Sequence, residues 1–166
     1  MSVDLRISAS ITGGYGATRD LADVQQNLKV SSLLELTTGT TAGKADLVFA
    51  DTRTLAASAN ENIDLAGSLT DAFGATLTFV KVVAIYIKAA DGNTNNVVVG
   101  WAASNGFVTP FGAATDTVKV GPGGTFLLTN DAGFAVTAAT GDLLKIANGG
   151  SGTPVTYDIV VVGRSA

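Results

Sequence analysis

Period two dominates the chain. Val3, Leu5, Ile7, Ala9 and Ile11 alternate with Asp4, Arg6, Ser8, Ser10 and Thr12, which predicts a half-buried strand ended by Gly13-Gly14. Further strands are predicted at Val30–Thr37 and Asp46–Thr54, joined by the turn-rich GTTAG, and at Asn62–Leu65. Arg19–Leu28 admits two readings. Asp20 caps a short helix with Leu21, Val24 and Leu28 on one face, or the segment is an irregular connection. Ala66–Ala75, with two glycines and a lone Phe73, reads as a loop.

The stretch TLTFVKVVAIYIKAADGNTNNVVVGWAASNGF, Thr76 to Phe107, is different in kind. Its first half is apolar at both parities. Leu77, Phe79, Val83, Ile85 and Ile87 lie on one, and Val80, Val82, Ala84 and Tyr86 on the other. A strand with one solvated face needs only one apolar side, so something must cover the second. The N-terminal region, a long loop and another subunit are the options, and a subunit interface is the favoured expectation. Asp91-Gly92-Asn93 marks a turn, with Leu77–Ala89 and Asn96–Ala103 as hairpin partners. After Pro110, short strands are predicted at Thr117–Val120, Thr125–Leu128, Phe134–Thr137, Leu143–Ala147 and Val155–Val162, separated by GPGG, TNDAG, TGD and NGGSG.

Many short strands with Gly-rich turns, and no helical crossovers, predict an all-β fold. The expected architecture is an antiparallel β-sandwich, jelly-roll-like, with at most one short helix. Residues 1–166 form one domain, in which 1–40 is a candidate N-terminal arm or attachment segment; residues 1–12 are a candidate for exchange between subunits.

Composition changes the picture in one respect. Charged residues are only 14% of the chain, against roughly 25% in an average globular protein. A neutral exterior of small residues and hydroxyls suits a protein packed against others. The net charge of −4 and ten scattered basic residues give no nucleic-acid footprint. No membrane partner is expected, since no apolar run approaches the roughly 20 residues of a spanning helix, and no N-terminal secretion signal, since MSVDLRISASITGG carries Asp4 and alternates instead of forming an apolar core. With no Cys and no His, disulfides, thiolate or imidazole metal sites and Ser–His or Cys nucleophiles are all excluded.

The remaining chemistry is thin. GTTAGKAD (Gly39–Asp46) has one residue too few for a phosphate loop and Ala45 where Ser or Thr is needed, so it reads as a turn with a solvated Lys44. GPGG (Gly121–Gly124) lies between strands, where helix amides are lacking. DGNTNN (Asp91–Asn96) lacks the distal Glu of a calcium loop, having Ala102 there. Asp46 with Asp51, Glu61 with Asp64, and Asp131 with Asp142 are the carboxylate pairs available to a glycosidase-type reaction. None carries partners that would raise a pKa. No enzyme, catalytic residue, cofactor or metal is expected. Trp101, Phe107 and Phe111 cluster in WAASNGFVTPFG, and with Phe73 and Tyr86 they are the candidate interface residues. Core packing is the alternative for each.

From Ala42 onward the chain resembles small virion structural proteins of tailed bacteriophages and related prophages. The resemblance rests on AGKADLVFADTRTLAASANENIDLAGSLTDAFGATLTFVKVVAIYIKAADGNTNNVVVG, KVGPGGTFLLTNDAGFAVTAATGDLLKIAN and VTYDIVVVG. It covers about three quarters of the chain and includes no catalytic signature; the first forty residues match less clearly. It implies a capsid decoration or cement protein, a homo-oligomer with a trimer favoured. The partners would be the major capsid protein or other virion proteins. The location would be the virion, on the capsid surface, after assembly in the host cytoplasm. The alternatives are a tail component (tube, baseplate or fibre adaptor), a receptor- or glycan-binding module centred on Trp101–Phe111, and a carboxylate-based glycan hydrolase.

Overall fold

The computed structural model describes residues 2–166 and contains thirteen strands and, among the described residues, no helix. They are β1 Asp4–Ala17, β2 Val24–Thr38, β3 Lys44–Ala45, β4 Leu47–Leu55, β5 Asn60–Asp64, β6 Ala66–Thr70, β7 Thr76–Thr78, β8 Lys81–Ala89, β9 Val97–Gly100, β10 Thr117–Val120, β11 Thr125–Ala135, β12 Leu143–Asn148 and β13 Val155–Arg164.

Two four-stranded sheets, β11-β8-β13-β4 and β10-β9-β12-β5, form the sandwich. Their pairing is nested. The first strand of the eight pairs with the last (β4 with β13), the second with the seventh (β5 with β12), the third with the sixth (β8 with β11), and the two middle ones with each other (β9 with β10). This is the winding of a jelly roll. Every pairing within the two sheets is antiparallel. Alternate side chains of each strand point inward, so Phe49, Ile63, Ile85, Ile87, Val99, Leu144, Ile146, Tyr157, Ile159 and Val161 fill the core between the sheets. The β6–β7 ribbon adds Leu69 and Leu77 to that core, with Leu65 and Phe79 beside it.

Several sequence expectations change. Ala66–Ala75 is not a plain loop, because Ala66–Thr70 pairs with Thr76–Thr78. Leu77–Ala89 is two strands: at Phe79 and Val80 the backbone amides turn to the carbonyls of Leu65 and Arg164. The hairpin between Leu77–Ala89 and Asn96–Ala103 does not form. Both edges of β8 are taken, by β11 and β13, so the Asp91–Asn96 turn carries the chain across to the other sheet. Phe134–Thr137 is not a separate strand but in part the far end of β11, after an irregularity at Asn130–Gly133. The helix at Arg19–Leu28 is absent, since Val24–Leu28 already belongs to β2.

The two parities of β8 are also not as simple alternation predicts. Opposite Val162-Gly163 the register shifts, so that Ala84 faces Val162 and Val82 faces Gly163, with Val83 as the extra residue. The bulge re-aims the strand. Val82 joins Ile85 and Ile87 in the core, while Val83 and Ala84 both turn outward. What covers them is the N-terminal region of the same chain. Leu5, Ile7, Leu34 and Leu36 pack there with Val48, Val160 and Val162.

The covering element is a hairpin. β1 and β2 pair from Asp4↔Thr37 to Ala17↔Val24, without interruption at Gly13-Gly14. Fourteen extended residues span about 45 Å, far more than the base needs.

Candidate functional site

The hairpin has two unlike faces, because cross-strand partners point to the same side. On one face lie Asp4 with Thr37, Arg6 with Glu35, Ser10 with Ser31 and Thr12 with Lys29. Arg6 and Glu35 form an exposed ion pair at 3.6 Å. On the other face lie Leu5 with Leu36, Ile7 with Leu34, Ile11 with Val30, Gly13 with Leu28, Tyr15 with Gln26 and Ala17 with Val24. This face is therefore largely apolar from base to tip, interrupted by Ser32 opposite Ala9, by Gly13 and by Gln26, while Leu33, opposite Ser8, is the one large apolar residue on the polar face. The base of the apolar face is buried on the sandwich, with Leu36 at 0% exposure. Beyond the base the same face is open to solvent: Ile11 is 66% exposed, Tyr15 64%, Val24 59% and Val30 58%. Ordinary surfaces carry isolated apolar side chains; here several lie in a row along one face of one ribbon.

A groove of about 340 Å³ opens where the base of the arm meets the outer face of the β11-β8-β13-β4 sheet. The arm contributes Leu5 and Ile7, and the sheet contributes Ala84, Tyr86, Leu127 and Val160. So the second apolar side of β8 is covered at Val83 and Ala84 and left open at Tyr86, which is 36% exposed.

The five aromatics singled out in the sequence do not form one patch. Tyr86 lines the groove. Phe73 is 84% exposed on the turn between β6 and β7, where the Asp71 carboxylate accepts the amides of Phe73 and Ala75. Trp101 follows β9 in the other sheet. It is exposed, adopts a positive φ of 56°, and has the Lys145 ammonium 5.0 Å from its ring centroid. Phe107 is a core residue at 2% exposure and offers nothing to a partner. Phe111 is half-buried against the core and lies over Gly100, where a Cβ would sit 3.2 Å from its ring.

The candidate carboxylates are held in structural bonds. Asp46 accepts the amide and hydroxyl of Ser165, Asp64 accepts the Ala66 amide, and Asp131 accepts the Gly43 amide. Asp142 is buried and accepts the Ala139 amide through Oδ2, and its Oδ1 has no partner. Glu61 joins Arg53 at 3.1 Å and accepts the Tyr157 hydroxyl at 2.7 Å, while Arg53 also reaches Asp51 at 3.4 Å. Burial first, then the hydrogen bond to Glu61 and that carboxylate's charge, push the Tyr157 phenol well above its ordinary range. The hydroxyl donates from β13 of one sheet to Glu61 on β5 of the other. Among the described residues no three acidic or metal-ligating side chains gather into a metal-sized cluster.

Two features escaped the sequence reading. One is the strand pairing within the candidate arm past Gly13-Gly14, whose signal was present: Tyr15, Ala17 and Val24 continue the alternation once the hairpin register is drawn. The other is Arg164, buried at 2% exposure, which donates to the carbonyls of Thr41, Asp131 and Ala132 and locks the 39–43 turn to the β11 irregularity. No protein-family model, curated protein or solved structure matches the chain.

Proposed function

We propose that this chain is a structural protein of a tailed-phage virion, a decoration or cement protein that binds the assembled head shell and stiffens it. The observation that carries the reading is the arm. A ribbon with one apolar face, buried at the base and bare beyond it, is built to be completed by another protein. Burial of such surface contributes roughly 25 cal/mol per Å². Repeated over many identical sites on a shell, modest contacts become effectively permanent. The jelly roll, the 14% charged composition and the structurally occupied carboxylates all suit a non-enzymatic, adhesive role. In this reading the protein sits on the capsid surface as an oligomer, with a trimer favoured, against the major capsid protein.

Purified heads and tails of the parent virion, separated and quantified by mass spectrometry, test the role. Copy numbers in heads comparable to those of the major shell subunit support decoration. Recovery in tails alone moves the chain to the tube, baseplate or fibre adaptor. Heads that lack the protein should burst more readily under heat or osmotic shock; equal tolerance, with no copies in purified heads, would overturn the role.

One observation favours a second reading, a receptor- or glycan-binding module. Trp101 is exposed on a backbone of positive φ, with a lysine at its ring. Binding of the isolated protein to host cells that Trp101→Ala abolishes without loss of fold would support it.

A further inference from the structure

We infer that the free half of the β1–β2 arm docks onto the outer face of the β11-β8-β13-β4 sheet of a second copy of this chain, beside Tyr86, Leu127 and Val160. The contact is already present once within the chain. At the base of the arm, Leu5, Ile7, Leu34 and Leu36 lie against Val83, Ala84 and Val162 of that sheet. Past the Ala9 and Ser32 pair, the free half takes up the same face in the same register, with Ile11 opposite Val30. The sheet continues its apolar face too, from Ala84 and Val162 to Tyr86, Leu127 and Val160 along the open groove. Donor and receiver thus extend one interface in two directions. The arm's own tip does not close it, because Ile11, Tyr15, Val24 and Val30 all remain exposed.

Area supports a second copy as the occupant. The open side chains of the stripe amount to roughly 500 Å², given the 150–250 Å² that a single large aromatic side chain buries. A reciprocal pair of copies would bury two such stripes across one interface, about 1,000 Å² from the arms alone, where specific interfaces begin. The rim is compatible, since the polar face of the arm, with Ser10, Thr12, Lys29 and Ser31, would stay in water.

The inference deepens the proposed role by naming the contact between copies. Its test is made on the full-length chain by sedimentation and light scattering at micromolar concentration. The arm variant carries Ile11→Lys and Val30→Glu, at exposed positions where the cross-strand pair then holds opposite charges. The groove variant carries Tyr86→Lys. Circular dichroism and the melting midpoint serve as controls of fold. The wild type should be oligomeric, and each variant should associate at least about tenfold more weakly, a change of about 1.4 kcal/mol. Mixing the two variants should restore a complex, because one retains the groove and the other the arm. A monomeric wild type, variants that assemble as well as wild type, or a mixture that fails to pair would each overturn the contact. A chain that is monomeric yet abundant in purified heads would sink the arm contact and spare the virion role. An arm-dependent oligomer missing from virions would do the reverse.

Discussion

A hydrogen in place of a methyl group at residue 163 decides whether β13 can run past β8. A Cβ at Gly163 would lie 2.2 Å from the Lys81 carbonyl oxygen and 2.6 Å from the Phe79 ring. The first obstacle is backbone at the bulge, which cannot rotate away. Gly163→Ala should therefore destabilise the fold by about 3 kcal/mol or more, read from denaturant midpoints. Tyr157 allows a finer test. Replacing it with Phe removes the hydroxyl that Glu61 accepts, at a cost of about 1–2 kcal/mol near neutral pH. The sign of the pH effect follows from the raised folded-state pKa. Below the ordinary phenol value of 10.0, both folded and unfolded chains hold the proton and this group adds no pH dependence. Above it the unfolded chain releases a proton that the folded chain retains, so wild-type stability falls as pH rises. Tyr157→Phe should lack that part of the alkaline loss, so the stability gap between the two proteins should narrow above pH 10. Parallel unfolding curves would show the phenol to be unperturbed.

At the scale of elements, the arm and the sandwich are joined through one small apolar cluster, in which Leu36 is fully buried. Leu36→Ala should weaken that clasp by about 2–5 kcal/mol. Hydrogen exchange should then accelerate in β1 and β2, while β5, β9 and β12 keep their protection. Uniform acceleration would mean that arm and sandwich unfold as one unit. The elements also show what an alternating pattern can and cannot say. β10 lies at Thr117–Val120 and β13 begins at Val155, as alternation and flanking turns predict. Val24 and Leu28 satisfy helical spacing as well as they satisfy a strand, and only their pairing with Ala17 and Gly13 of β1 decides between them, while Leu21 lies outside the strand. The bulge at Val83 lies beyond any reading of parity, because it depends on how Gly163 and Phe134 meet the strand. The same limit applied to the aromatics. Phe107 and Trp101 are six residues apart in one loop-rich stretch, yet one is core and the other surface. For the arm, period two reports that a face is apolar but not whether the chain itself will cover it.

At the scale of the whole molecule, the nested winding of the sandwich sets an order in time. β4, the first strand of the roll, has β13 as its sheet partner, and β13 also separates it from β8. During synthesis, β4 must wait for β13, with its apolar side exposed for the roughly 5–20 s that a ribosome needs at about 5–20 residues per second, whereas β8 can first pair with β11. The β1–β2 ribbon needs only its own neighbouring residues and can pair as soon as it emerges, although the seat of its base, made by Val48, Val83, Ala84, Val160 and Val162, is complete only when β13 joins β4 and β8. A chain stopped before Val155 should therefore be insoluble, not merely less stable, and should be recovered in the pellet after expression; a soluble, folded fragment would show that the roll closes without its last strand. The roll is thus closed by one ten-residue strand, β13, which completes both the core and the seat of the arm.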